Sequence, residues 1–323
     1  MLIERIPWWI MVHLRAINYK YKLLKTQIAR IGKEDGKMEK VSVSMIAWNE
    51  ATTIDLALNA VKDFADEVII VDSGSWDGTQ DIARKCFEEF GIDGKVIDYK
   101  SVSLLDIRRK SIEACRNDWI LMIDSNQVLS NKIIKGIREH IVKTPKCAGA
   151  FASLNLMGDY EHFFDRLPVH AQHLTLFKQD QITWEFDEPR DRPLRQAGIR
   201  VIQGMAVNLS RVRPAWRSWY RGEPFAEGVI PYENELNYQR NWKLLGKYFS
   251  IAEYFEEEFG ITPEDVEELA PRWYKENIKE FAKPLTPTYR KQLPEVIIEE
   301  QQNPRFKLKL NYSNRPVGRE PYL

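Results

Sequence analysis

Over residues 39–150 the apolar residues change their period again and again, and this alternation limits the possible folds more than any other feature. Val41-Ser-Val-Ser-Met-Ile46 reads as a strand. Ile54, Ala57, Leu58, Val61 and Phe64 then recur at helical spacing. Glu67-Val-Ile-Ile-Val71 reads as a buried strand, and Ile82, Ala83, Cys86, Phe87 and Phe90 form a second helical face. Lys95–Tyr99 is a short strand, 104–115 a helix, and Trp119-Ile-Leu-Met-Ile123 another strand. Ser130 caps a helix that turns Ile133, Ile134, Ile137 and Ile141 inward. Strands and helices in strict alternation predict an α/β fold, a mostly parallel Rossmann-like sheet flanked by helices. Ligands of such sheets sit beyond the carboxyl ends of the strands.

Three zones divide the chain. Residues 1–38 read as a helical, amphipathic extension: Trp8, Trp9, Tyr19 and Tyr21 mix with Lys20, Lys22, Lys25 and Arg30. Such a helix lies on a membrane surface, giving peripheral contact through 1–30, or packs on the main domain, or forms part of an oligomer contact. Residues 39–215 hold the α/β domain, with shorter strand-like runs at Leu174–Phe177 and Arg200–Ile202. Residues 216–323 read as a mostly helical extension and tail, with helices at 233–248 and 263–282 and with prolines 284, 287, 294 and 304 punctuating the rest. The apolar run Ile6–Val12 is far short of the ~20 residues of a membrane span. With three scattered cysteines and no CxxC, a cytoplasmic location is expected. Lys+Arg 47 balances Asp+Glu 47, so overall charge favours neither nucleic acid nor an anionic surface.

Chemistry concentrates where strands end. Ala47-Trp48-Asn49-Glu50 follows the first strand, Asp72-Ser-Gly-Ser-Trp-Asp-Gly-Thr79 the second, and Asp124-Ser-Asn126-Gln127 the strand that starts at Trp119. One Asp after a strand is ordinary turn chemistry. Three such clusters on one sheet edge describe a cleft whose short acids can bind a base and ribose, or hold a divalent cation against a diphosphate.

These residues resemble the family 2 glycosyltransferases of the GT-A fold. Val43–Glu50 is similar to the opening strand and Asn-Glu turn of that family. Phe64–Thr79 is similar to its second-strand signature, in the form found in lipopolysaccharide-core glucosyltransferase relatives. Asn117–Asp124 is similar to the strand that leads into the family's DxD motif, and Arg108 lies at the position of a family arginine. The resemblance covers about residues 40–130 and continues more weakly to 190. It implies transfer of a sugar from a nucleoside diphosphate donor, UDP first among them, to an acceptor hydroxyl with inversion. Ala47, Asn49, Glu50, Asp72 and Arg108 would serve the donor nucleotide. Asp124 and Asn126 would flank the diphosphate and a Mn²⁺ or Mg²⁺ ion. The stretch Leu174–Lys178 with Trp184–Glu188 resembles the family's later motif, which makes Asp187 or Glu188 the expected base and Asp187 a further metal ligand; the other reading is an exposed charged loop of Asp187, Glu188, Arg190, Asp191 and Arg192. The acceptor is expected to be a cell-surface glycan or lipid-linked saccharide. A modified DNA base is the alternative, which the basic tail residues Arg305, Lys307, Lys309, Arg315 and Arg319 would suit.

One departure matters. The family reads Asp-x-Asp-Glu where this chain reads Asp124-Ser-Asn126-Gln127. An amide oxygen can ligate a hard cation but brings no charge. Three readings follow: a weaker metal site, a ligand supplied by another acid such as Asp187, or a non-catalytic nucleotide-sugar-binding or scaffold protein. A nucleotidyltransferase would need a Gly-rich basic loop after the first strand, where Ala47–Glu50 stands instead. The five histidines show no zinc spacing and read as structural. The Arg211–Arg221 segment, with Trp216, Trp219 and Tyr220, either packs helices or covers the acceptor side of the cleft.

Overall fold

A computed structural model describes residues 39–101, 104–157, 159–164, 169–171, 175–183, 194–195, 198–212 and 282–302. In chain order these form β1 (Val41–Ala47), α1 (Ile54–Val61), β2 (Glu67–Asp72), α2 (Thr79–Phe90), β3 (Gly94–Asp98), α3 (Leu104–Glu113), β4 (Trp119–Asp124), β5 (Gln127–Val128) and α4 (Asn131–Lys143). Then follow β6 (Ala148–Met157), β7 (His162–Phe164), β8 (Val169–Ala171), β9 (Leu176–Lys178), β10 (Ile182–Thr183), β11 (Leu194–Arg195), β12 (Ile199–Arg211), β13 (Ala282–Pro284), α5 (Pro287–Arg290) and α6 (Glu295–Gln302). The strands and helices expected over 39–150 are all present. The 1–38 extension, the expected helix at 233–248, most of the one at 263–282 and the tail from 303 lie outside the described residues.

The long ladders are parallel. β3, β2, β1 and β4 run side by side in that order. β6 and β12 form a second parallel pair. The short strands β9, β7, β8, β5 and β13 join antiparallel, and β9 bridges β4 to β6. The sheet is therefore mixed but mostly parallel, and helices cover both of its faces. No helix among the described residues is long and apolar enough to cross a membrane.

Alternation along each strand builds both layers. Val41, Val43 and Met45 of β1, Val68 and Ile70 of β2, and Trp119, Leu121 and Ile123 of β4 pack against α1, α2 and α4. On the opposite face Ile69, Val71, Ile120 and Met122 pack against Ile107 and Ile112 of α3. Fully burying each such side chain stabilises the fold by roughly 1.5–3 kcal/mol. Ser42 and Ser44 of β1 also face inward, and each finds a partner: Glu67 takes the Ser42 hydroxyl, and Ser44 Oγ lies 2.7 Å from Ser111 Oγ on α3. Ser130 caps α4 as expected, its Oγ accepting from Ile133 N at 3.4 Å.

A third apolar cluster joins distant segments. Leu56 of α1, Val128, Leu154, Leu156, Val207 and Leu209 pack with Leu285, Leu293 and Ile297. β13 extends the same sheet through β7. Ala282, expected as the end of a helix, instead begins this strand. Nearby, burial and the carboxylates of Glu300 and Asp55 push the Tyr160 hydroxyl above its usual range, so it stays protonated.

Candidate active site

The sheet register brings the three polar clusters together. Ala47 is opposite Asp72 across β1 and β2, and Ile46 is opposite Asp124 across β1 and β4. From β1 the chain winds outward to β2 and β3, then returns to β4 on the other side of β1. The loops after β1 and β4 therefore leave the edge at a topological switch point, where α/β sheets open a crevice.

The loops after β1 and β2 are laced to each other. Asn49 N donates to Ser75 Oγ at 2.7 Å, and Asn49 Oδ1 accepts from Trp76 N at 3.0 Å. Glu50 N donates to Thr79 Oγ1 at 2.7 Å and Ala51 N to Asp77 Oδ2 at 3.0 Å. Asn49 adopts a left-handed φ of 52°, which its short amide tolerates better than most side chains. Gly78, at φ 93°, makes the turn that starts α2. The motif residues thus hold each other's backbone as well as lining the edge.

Asp72 is completely buried and bound by its own loop. Its Oδ1 accepts from Gly74 N (2.9 Å), Ser75 N (2.7 Å) and Gln80 Nε2 (3.0 Å), and its Oδ2 from Ser75 Oγ at 2.5 Å. In this structure it holds the Asp72–Thr79 loop in shape. Ser75, Asp77 and Thr79 take parts in that scaffold that their place in the polar cluster alone does not assign. Their signal is the offset pattern of an Asx turn, readable only once the facing loop is known.

Asp124 ends β4 and pairs with Arg108 of α3, a guanidinium only 1% exposed. Arg108 Nη1 also donates to Ile123 O at 3.3 Å. The turn after Asp124 is tied on three sides. Gln127 Oε1 accepts from Asp124 N at 3.1 Å, Ser125 Oγ donates to Ile46 O at 2.8 Å, and Asn126 O accepts from Leu209 N at 2.9 Å. Asn126 Nδ2 donates to Glu50 Oε1 at 3.3 Å, and Glu50 Oε2 accepts from Thr53 Oγ1 at 2.8 Å. Asn126 Oδ1 is buried and has no hydrogen-bond partner among the described residues.

The structure therefore brings Ala47, Asn49, Glu50, Asp72, Arg108, Asp124 and Asn126 to one edge. Asp187 and Glu188 lie outside the described residues. Among the described residues no group of three His, Cys, Asp or Glu side chains could hold a metal ion. One carboxylate, already paired with Arg108, and one buried amide oxygen, unpartnered among the described residues, would fit only a cation completed largely by phosphate oxygens, as Mg²⁺ sites often are.

Residues 42–189 match the sequence profile of glycosyl transferase family 2. An uncharacterized glycosyltransferase of Rickettsia felis is 42% identical over 96 residues, 30% of this chain and 32% of that protein. The match thus spans about a third of the relative's length. Among solved structures, TarS 1–349 of S. aureus aligns over 68% of this chain and 72% of its own, at 15% identity and a TM-score of 0.38. Glucosyl-3-phosphoglycerate synthase from Mycobacterium tuberculosis, in complex with Mn²⁺, UDP and phosphoglyceric acid, aligns over 36% of this chain and 43% of its own, at 19% identity and a TM-score of 0.30.

Proposed function

We propose that this chain, whose residues 42–189 match glycosyl transferase family 2, moves a sugar from a UDP-sugar to an acceptor hydroxyl with inversion. The observation that carries the reading is the register that puts the loops after β1, β2 and β4 on one edge of the switch point. The laced loops of Ala47–Glu50 and Asp72–Thr79 receive the nucleoside. Asp124 and Asn126 face the diphosphate. When bound there, Mn²⁺ or Mg²⁺ neutralises charge on the departing nucleoside diphosphate.

In the reaction the acceptor oxygen forms a bond to the anomeric carbon while the bond from that carbon to the phosphate oxygen breaks. The acceptor proton passes to Asp187 or Glu188. Arg108 acts from beneath, fixing the orientation of the Asp124 carboxylate. A cell-surface glycan or lipid-linked saccharide is the acceptor class we favour.

The test is release of nucleoside diphosphate from a panel of nucleotide sugars in Mn²⁺, Mg²⁺ or EDTA, with the wild-type chain and Asp124→Asn. We expect slow, metal-dependent release of UDP, reduced on the order of 100-fold in Asp124→Asn, the scale of losing one preorganised electrostatic contact. Failure to bind any nucleotide sugar would overturn the proposal. Release of a different nucleoside diphosphate would keep the transferase and replace the donor.

A further inference from the structure

We infer that Glu50 is a positioning residue for Asn126: it holds the side-chain nitrogen, leaves the amide oxygen as the open acceptor of the turn, and so keeps this turn in shape with no cation bound. The meaning of that acceptor for a diphosphate rests on the transferase reading. The pair itself does not.

The two ends of an asparagine amide are nearly alike in shape, so hydrogen bonding decides which way it faces. Glu50 offers Oε1, an acceptor, at 3.3 Å, so the nitrogen of Asn126 must face it. Both partners are fixed independently. Glu50 is 2% exposed, with Oε2 taking the Thr53 hydroxyl and its backbone N–H bound to Thr79 Oγ1. Asn126 is 4% exposed, and its backbone carbonyl is bound by Leu209 N of β12. Rotation of the Glu50 side chain would break its bonds to both Thr53 and Asn126. The oxygen left over is the buried Oδ1 that has no partner among the described residues.

The arrangement accounts for the departure at 126. Aspartate there would set two acceptor-only groups against each other inside the protein. Buried like charges at that spacing either take up a proton or recruit a cation. A carboxylate at 126 thus makes the turn depend on an added proton or cation, whereas the carboxamide does not.

The test uses thermal unfolding of the full chain, each variant in EDTA and in Mn²⁺ alone. The variants are Asn126→Asp, Glu50→Gln and both together. The wild type should melt within about 1 °C in the two conditions. Asn126→Asp should melt about 5 °C lower in EDTA and recover with Mn²⁺. The double variant exchanges donor and acceptor, with the new amide at 50 donating to the new carboxylate at 126, and should regain most of the wild-type melting in EDTA. If Glu50 only filled space, the two losses would add, with no rescue. Wild-type melting by Asn126→Asp in EDTA would overturn the inference. So would a double variant no better than the weaker single, or a rise of several degrees in the wild type on adding Mn²⁺. The readout needs no donor. Failure of the nucleotide-sugar panel therefore bears on the transferase reading alone, and failure here bears on the pair alone.

Discussion

Arg108 carries a permanent charge into a place that is almost wholly enclosed, where the Asp124 carboxylate and the Ile123 carbonyl meet its terminal nitrogens. Removing one member of a buried ion pair costs about 3–5 kcal/mol, because the other is left uncompensated. The carboxylate side is 28% exposed, which moves the expected cost toward the low end. Asp124→Ala should therefore lower melting by several degrees as well as stop turnover. Asp124→Asn keeps an acceptor oxygen for the guanidinium and should melt above Asp124→Ala. Thermal unfolding of both, beside donor release, separates loss of chemistry from loss of fold; equal, wild-type melting in both would refute the structural part. Asp124 was legible from the sequence because an acid after a buried strand falls on the ligand edge. That Asp72 would spend its carboxylate on its own loop was not legible. Its partners Ser75 and Gln80 reach it only through the turn and the first turn of α2.

Helix α4 shows how packing overrules a local preference. His140 sits in its last turn, where the helix dipole favours a protonated ring. Burial wins and lowers its pKa below the ordinary value of 6.5, although the bond to Cys147 O (2.7 Å from Nε2) opposes the shift. The ring also meets Trp119 edge-on, 6.2 Å between centroids. With the folded pKa depressed, the unfolded chain binds the proton first as pH falls. This contribution is therefore complete above about pH 6.5 and is lost on acidification below it. Chemical denaturation of wild type and His140→Gln between pH 7.5 and about 5 checks this. The wild type should lose more stability over that range than the variant, and parallel curves would contradict the assignment. Element β12 shows the opposite limit of sequence reading. Apolar pattern predicts a strand only at 200–202, yet it runs from Ile199 to Arg211. Gln203-Gly204 interrupts the pattern because the ladder shifts register between Val201 and Met205. Gly204 has φ 132°, and a Cβ there would lie 2.7 Å from Ile133 Cγ1. The glycine that hides the strand in the sequence is what lets the strand pass under α4.

Across the whole molecule, residues 282–302 are built into the body formed by the first half. β13 adds to β7, Gln301 Nε2 donates to Tyr160 O at 2.8 Å, and Ile297 is fully buried among residues of β5, β6 and β12. Ile297→Ala removes buried volume from a cluster drawn from distant parts of the chain. Such truncations cost about 2–5 kcal/mol. We expect melting to fall by about 5 °C or more, in one transition seen alike by tryptophan fluorescence and circular dichroism. An unchanged main transition would show that this segment does not share the core. The amino-acid sequence by itself determined the alternating elements of 39–150, their inward faces and the three polar clusters at strand ends. Those follow from local period and local turn chemistry, which act over a few residues. Only the tertiary structure decided the rest. Strand register set Ala47 beside Asp72 and Ile46 beside Asp124. Loop crossing tied Asn49 to Trp76 and Glu50 to Asn126. The C-terminal strand found its place through contacts spanning more than a hundred residues. A sequence pattern records which face of an element is apolar. It does not record which partner covers that face, because that choice is made by packing among all the elements at once.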